Sequence, residues 1–333
     1  MMRTFKIFIF FICLSSFGHA QDAAQLHETA REFMRQQDFS NAILVLNRAV
    51  LLDPKNSDIS KDLALNYYFS KNYKKAEEVI KPLLDNDDAD DQTFQIAADI
   101  YYAMDLLKES EKVYKKGLKK IPTSGALYNE YGELLWSQKD YSAIKQWEKG
   151  IEMDPSYSKN YFNASRYYYF TTDRVWSILY GEIFLNIEPL SASAPEMKNI
   201  VLESYKKLFL DADLEKHIPA DNEFIAAFLR TMNKQSGLAS SGLDAESLTM
   251  IRARFILEWF NDYGKKFPYR LFDYQRQLLR EGMFDAYNQW IFSAAQNLPA
   301  YQTWTETHPV EYSDLLRFQQ GRIFKIPSGQ FYH

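Results

Sequence analysis

The sequence predicts an all-α fold, an array of stacked helix pairs followed by a helical C-terminal domain. Small residues recur at a nearly fixed interval: Ala42, Ala76, Ser110, Ala143 and Ser177 are spaced 34, 34, 33 and 34 apart. A second series, Ala30, Ala64, Ala98, Gly132 and Ser165, is spaced 34, 34, 34 and 33. Prolines close four of the five periods, at Pro54, Pro122, Pro155 and Pro189, and Asp88 stands where the second period lacks one. A period of this length is that of a helix pair that buries its apolar face only by stacking on its neighbours.

Each period reads the same way. The first helix carries a small residue where its partner crosses, with a large one beside it: Phe33, Tyr67, Tyr101, Leu135 and Tyr168. The second helix fills the space next to its own small residue with Leu46, Ile80, Tyr114 and Trp147. Small side chains at the crossing let two backbones approach, and the terminal proline stops the second helix because it lacks an N–H and clashes with the preceding turn. The residue missing from the fourth period falls in its inter-helix turn, between Tyr141 and Ala143.

After Pro189 the phase is lost. Ser191 to Pro195 reads as a linker. Helical spacing returns over Met197–Leu210 and Asn222–Met232, and the Gly/Ser-rich stretch Lys234–Leu243 reads as a loop. Asp244 is the expected N-cap of a long helix over Ala245–Tyr263. Residues 269–297 regain the small-residue pattern with Gly282, Ala286 and Ser293, and Pro299 is expected to close this degenerate pair. Pro309 opens a closing helix to Arg322, ahead of a tail from Ile323 to His333. The expected domains are a leader at 1–20, five repeats over 21–190 and a helical C-terminal domain over 191–333.

The turn residues Asp38-Phe39, Asn72-Tyr73 and Asp140-Tyr141 add detail to the period. So do Ala42-Ile43, Ala76-Glu77 and Ala143-Ile144 opening the second helices, and Asp53-Pro54 and Asp154-Pro155 after them. Over residues 23 to about 190 the chain resembles the tetratricopeptide-repeat (TPR) family. The resemblance implies an α-solenoid, a right-handed superhelix of helix-turn-helix repeats whose first helices line a concave surface. It also implies a protein that binds other proteins.

Residues 1–20 read as a secretory leader: Arg3 and Lys6, an apolar run from Ile7 to Phe17, and Gly18-His19-Ala20 before a mature start at Gln21. Losing Arg3 and Lys6 leaves 37 basic against 44 acidic residues, a net charge of −7. That balance argues against nucleic acid as partner. The single cysteine, Cys13, lies inside the leader, so the mature chain is expected to have no thiol chemistry and no disulfide. No later apolar run is long enough for a transmembrane segment.

Candidate binding residues follow from spacing. Positions i, i+4 and i+7 of a helix share one face. On the first helices these are His27/Arg31/Met34, Lys61/Leu65/Tyr68, Gln95/Asp99/Tyr102, Asn129/Glu133/Trp136 and Phe162/Arg166/Tyr169. Tyr68, Tyr102, Trp136 and Tyr169 form a repeating aromatic series, flanked by Arg31, Lys61, Asp99, Asn129, Glu133 and Arg166. Such a series suits an extended peptide or a glycan, and inter-helix packing also makes aromatic stripes. Lys159, Asn163 and Arg166 echo the residues with which some family members clamp a terminal carboxylate, but here all three fall on one helix.

Other chemistry finds no motif. The run Asp85–Asp91 has Asp90 and Ile96 where a calcium loop wants Gly and Glu, so it reads as an inter-repeat turn with a capping acid. His27, His217, His308 and His333 form no metal-ligand pair, and no phosphate loop or nucleophile elbow is present. Lys265, Lys266, Arg270, Arg276 and Arg280 among aromatic residues read as a solvated helix face. The sequence therefore points to a non-enzymatic scaffold or adaptor without cofactor, periplasmic or secreted, serving assembly, secretion or surface-protein biogenesis in a bacterial envelope. A glycan-binding module is the alternative, ahead of an enzyme with its site in the C-terminal domain.

Overall fold

Four of the helix pairs turn on the same hydrogen-bond pattern. The computed structural model describes residues 22–211, 213–240 and 242–333. In it the first helices end with a residue in the left-handed region: Gln37, Lys71, Asp105 and Lys139, with φ of 60°, 59°, 59° and 61°. In each turn the left-handed residue's N–H bonds the carbonyl three back, that of Met34, Tyr68, Tyr102 or Trp136. The next N–H reaches five back, to Phe33, Tyr67, Tyr101 or Leu135. This is the Schellman motif, which satisfies carbonyls that the end of a helix leaves orphaned. The expected leader and its cleavage point after Ala20 lie outside the described residues.

All regular secondary structure among the described residues is helical, with no strand, and none of their helices is long and apolar enough to cross a membrane. Contacts among the described residues gather into two compact units, one ending at Leu134 and one beginning at Leu135.

In the first unit, α1 (22–35) leads into α2 (Phe39–Leu52), α3 (Ser57–Phe69), α4 (Tyr73–Ile80), α5 (Asp91–Ala103), α6 (Leu107–Lys120) and α7 (Gly125–Ser137), whose last turn enters the second unit. Successive helices from α2 to α6 pack on one another, and α3 also touches α5. The small residues Ala30, Ala42, Ala64, Ala76 and Ala98 are fully buried at these crossings. Pro82 shapes the second pair in a way the period did not announce. After Ile80 the chain continues as a 3-10 helix, Lys81–Asp85, because proline removes an α-helical donor and crowds the preceding turn. Asp90 caps α5, its carboxylate accepting the Thr93 N–H at 2.9 Å.

The second unit runs through α8 (Ala143–Met153), α9 (Ser158–Tyr169), α10 (Arg174–Ile187), α11 (Ala194–Leu208), α12 (Glu223–Asn233), α13 (Ser236–Ala239), α14 (Ala245–Asp262) and α15 (Arg270–Arg280). Then come α16 (Phe284–Asn288), a π-helical turn (Gln289–Ser293), α17 (Ala294–Gln296), α18 (Leu298–Thr307) and α19 (Pro309–Gln320). The residue missing from the fourth period shortens α8, which starts at Ala143 itself. By contrast α2, α4 and α6 start three residues before Ala42, Ala76 and Ser110. In the fifth pair the crossing residues bond each other: Ser165 Oγ donates to the Ser177 carbonyl at 2.7 Å and Ser177 Oγ to that of Ser165 at 3.0 Å.

Two expectations need correction here. The stretch read as a loop over 234–243 contains the short helix α13. Pro299 does not close a helix pair. It sits in the first turn of α18, where a missing N–H costs nothing, behind the Asn297 cap that accepts from the Ala300 N–H at 3.1 Å.

A buried polar network ties α10 to the later helices. Glu182 of α10 pairs with Arg252 of α14, and both are about 1% exposed. Gln275 donates to Glu182 at 3.0 and 3.2 Å, and the Tyr287 hydroxyl donates to it at 3.3 Å. Asn288 accepts from the Arg252 guanidinium, which also lies 5.0 Å from the Phe292 ring centre.

The tail returns to this unit and is fixed along its length. Phe324 and Ile326 are buried, and the Gln330 side chain accepts the Arg270 N–H at 2.6 Å. Tyr332 stacks on Phe224 at 4.6 Å, donates to the Pro268 carbonyl at 2.8 Å and accepts from Asn222 at 2.8 Å. The His333 ring meets the Tyr168 hydroxyl at 2.6 Å and Glu148 at 3.1 Å.

Candidate partner-binding face

The Schellman turn that ends four of the first helices also presents three members of the aromatic series, because Tyr68, Tyr102 and Trp136 supply its accepting carbonyls. Each stands three residues before the left-handed residue that reverses the chain, in the same place each time.

On α5, Tyr102 stands three residues, just short of a full turn, beyond Asp99, so the two share one side of that helix. Tyr102 is 50% exposed. Tyr68 is half-buried, with its ring 5.8 Å from Tyr73 and 5.5 Å from Phe69, and burial followed by the Asp99 charge raises its pKa. Asp99 is open to solvent, yet desolvation and the neighbouring Glu133 charge push its carboxyl up to about 6. Asn129 is buried and donates to Glu133 at 3.1 Å, so it positions that carboxylate rather than facing a partner.

Two of the expected basic contacts are committed elsewhere. Lys61 is only 5% exposed, and its ammonium bonds Asp58 at 2.9 Å and the α5 cap Asp90 at 2.7 Å. It is a seam between neighbouring pairs, since a buried cation has to be matched by carboxylates. Arg31 pairs with Glu28 at 3.0 Å and Asp62 at 3.4 Å, and His27 reaches the same Asp62 at 2.7 Å.

In the second unit Trp136 is 37% exposed and lies among three rings, Tyr141 at 5.8 Å, Tyr167 at 5.9 Å and Trp147 at 6.0 Å. Arg166 and Tyr169 share a cleft of about 230 Å³ with Phe170, Glu196, Asn199, Ile200 and Glu203. Arg166 pairs with Glu196 at 3.2 Å, and Lys207 stands 3.5 Å over the Tyr169 ring. Phe170 is 72% exposed. The wall supplied by α11 was missed from sequence, although 196, 199, 200 and 203 keep the spacing of one helix face. Among the described residues no cluster of His, Cys, Asp or Glu could hold a metal ion.

Residues 33–100 match the family model of the tetratricopeptide repeat. No curated protein matches the chain. Solved structures similar to it include pilF of Pseudomonas aeruginosa, 15% identical, covering 60% of this chain and 90% of that one with a TM-score of 0.48. YrrB, described as a TPR protein with an unusual peptide-binding site, is 16% identical over 56% of this chain and 92% of its own, with a TM-score of 0.38. The human IFIT1 dimer with m7Gppp-AAAA is 20% identical over 70% of this chain and 59% of its own, with a TM-score of 0.42.

Proposed function

Because the chain is a tetratricopeptide-repeat protein, we propose that it is a scaffold that holds a segment of another protein against the exposed aromatic residues of its first helices. The observation that carries this reading is the repeated aromatic position. Tyr102 and Trp136 keep a third to a half of their surface open although large aromatic side chains are usually buried. Asp99, one turn before Tyr102 on α5, and Glu133, one turn before Trp136 on α7, are polar and accessible. Open aromatics beside polar groups make the anchors of an interface, where truncation of one anchor costs about 2 kcal/mol or more.

We place this work in a bacterial cell envelope, periplasmic or secreted, on the strength of the leader expected at residues 1–20. The partner is then an envelope protein or peptide, handled during assembly, secretion or surface-protein biogenesis.

Affinity capture from envelope extracts, comparing wild type with Tyr102→Ala and Trp136→Ala, tests the reading. The expected result is a partner protein lost from both variants while circular dichroism stays unchanged. A partner retained by both variants moves the binding surface elsewhere. Retention of glycans in place of a protein turns the face into a sugar-binding one.

A further inference from the structure

The tail of the second unit lies in a groove as an extended peptide, and it shows what that groove recognises. From Ile323 onward the chain forms no helix. Phe324 and Ile326 are buried first, and an exposed turn follows at Pro327–Gly329, where Gly329 takes a φ of 83°. Gln330, Tyr332 and His333 are then read one by one. α15 has no capping side chain of its own, and Gln330 supplies one by accepting the Arg270 N–H at 2.6 Å. Asn222 caps α12 with its side-chain oxygen, and its amide nitrogen donates to the Tyr332 carbonyl at 2.8 Å. The Tyr332 ring lies among Phe224, Phe267 and Tyr269, at 4.6, 5.8 and 5.9 Å. Its hydroxyl reaches the Pro268 carbonyl. The His333 ring stands 5.1 Å from Trp176 and meets Tyr168 and Glu148.

Orphan donors at the start of a helix are satisfied by side chains or by ligands, and at α15 the tail does a ligand's work. The fit is incomplete. Tyr161, Trp176, Tyr180, Ile183 and Tyr269 line a cavity of about 10 Å³ against the tail. Tyr180 is 2% exposed, its ring 5.9 Å from Tyr161 and 5.1 Å from Trp176, and its hydroxyl has no hydrogen-bond partner among the described residues. An unpaired buried hydroxyl costs free energy, so a segment that brings an acceptor to that place fits the groove better than the tail does.

We propose that this groove is a second recognition site, for an extended segment of a separate protein that carries the tail's own pattern: a glutamine two residues before a tyrosine, with an imidazole directly after it. The tail is the resident occupant and gives way to that segment. The proposal goes beyond the reading of the exposed first-helix aromatics, since the groove contains no member of that series.

The test is fluorescence anisotropy with the full chain and a labelled peptide of residues 322–333. Gln330→Ala combined with Tyr332→Ala loosens the tail and leaves every residue of the groove in place. A tethered occupant competes at an effective concentration on the order of millimolar. The peptide is therefore expected to bind the double variant about tenfold or more tightly than it binds wild type. A peptide with alanine at both of those positions should lose that binding. If circular dichroism shows that the double variant has lost helix, Gln330→Ala alone takes its place and should bind the peptide more tightly than wild type does.

No binding of the peptide to the loosened chain at millimolar concentration overturns the proposal. So does equal affinity for wild type and variant, or equal affinity of the native and alanine peptides. Dimers of wild type in sedimentation equilibrium that vanish with Tyr332→Ala give the groove to the tail of a second copy and overturn the assignment to a separate partner.

Discussion

The Tyr168 hydroxyl donates a 2.6 Å hydrogen bond to the buried carboxylate of Glu148, linking α9 to α8. Burial pushes Glu148 up to about 7 from its ordinary 4.5, against the lowering effect of that hydrogen bond and with some help from the Asp173 charge. The folded chain thus holds this proton more tightly than the unfolded chain. Its contribution to stability is fully present below pH 4.5 and is lost as pH rises through 7. The full shift corresponds to about 3 kcal/mol. Glu148→Gln should therefore match wild type near pH 5 and exceed it by about 1–3 kcal/mol at pH 8, read from urea midpoints. His333, whose pKa burial pushes down, acts in the opposite sense at lower pH, so the difference between variant and wild type reports the carboxyl. A variant that stays parallel to wild type from pH 5 to 8 contradicts the assignment.

Left-handed residues other than glycine cost roughly 1–2 kcal/mol each. Gln37, Lys71 and Lys139 occupy such positions without a short polar side chain to compensate. Changing each to Gly should stabilise the chain by about 0.5–1 kcal/mol, since the local relief outweighs the entropy that glycine adds to the unfolded state. Asp105→Gly should gain least, because aspartate tolerates this region better. Thermal melts of the four single variants give the ranking.

Ala76 has no exposed surface, and it lies on α4, which packs against both α3 and α5. Ala76→Leu forces extra volume into that seam and should destabilise the chain by about 1–3 kcal/mol. Ala42 and Ala143 are equally buried and should respond alike. Unchanged denaturant midpoints at all three would mean that the crossings lie elsewhere.

Removing one member of the Glu182–Arg252 pair strands the other in the interior. Arg252→Met alone should cost about 3–5 kcal/mol, whereas Arg252→Met combined with Glu182→Leu should recover much of the loss. A double-mutant cycle measures the coupling. Additive losses would show that the pair does not act as one unit.

Much of the fold was legible because its signals are local. The crossing residues recur in phase, and even the one-residue gap before Ala143 reappears as a late start of α8. Capping chemistry was equally readable at Asp244, which forms a capping box with Ser247. The losses share a cause, which is distance along the chain. Lys61 looked free because its partner Asp90 stands 29 residues away, on the next first helix. Arg252 is separated from Glu182 by 70 residues, and no pattern in either helix announces the other. Pro82 and Pro299 were hard for a different reason. A proline near a helix boundary can end one helix, tighten it to 3-10 or start the next, and the neighbouring caps decide which.

The fastened tail gives the second unit a mechanical property. Its tie points at Arg270, Pro268, Asn222 and Tyr168 follow one another along residues 330–333, so a tether attached at His333 pulls on the Tyr168 and Glu148 contacts first. Tension then passes to the Tyr332 ring on Phe224 and only afterwards to Gln330. Under load from that end the tail peels one bond at a time rather than shearing as a block, and it resists most where Tyr332 is held by a stack and two hydrogen bonds together.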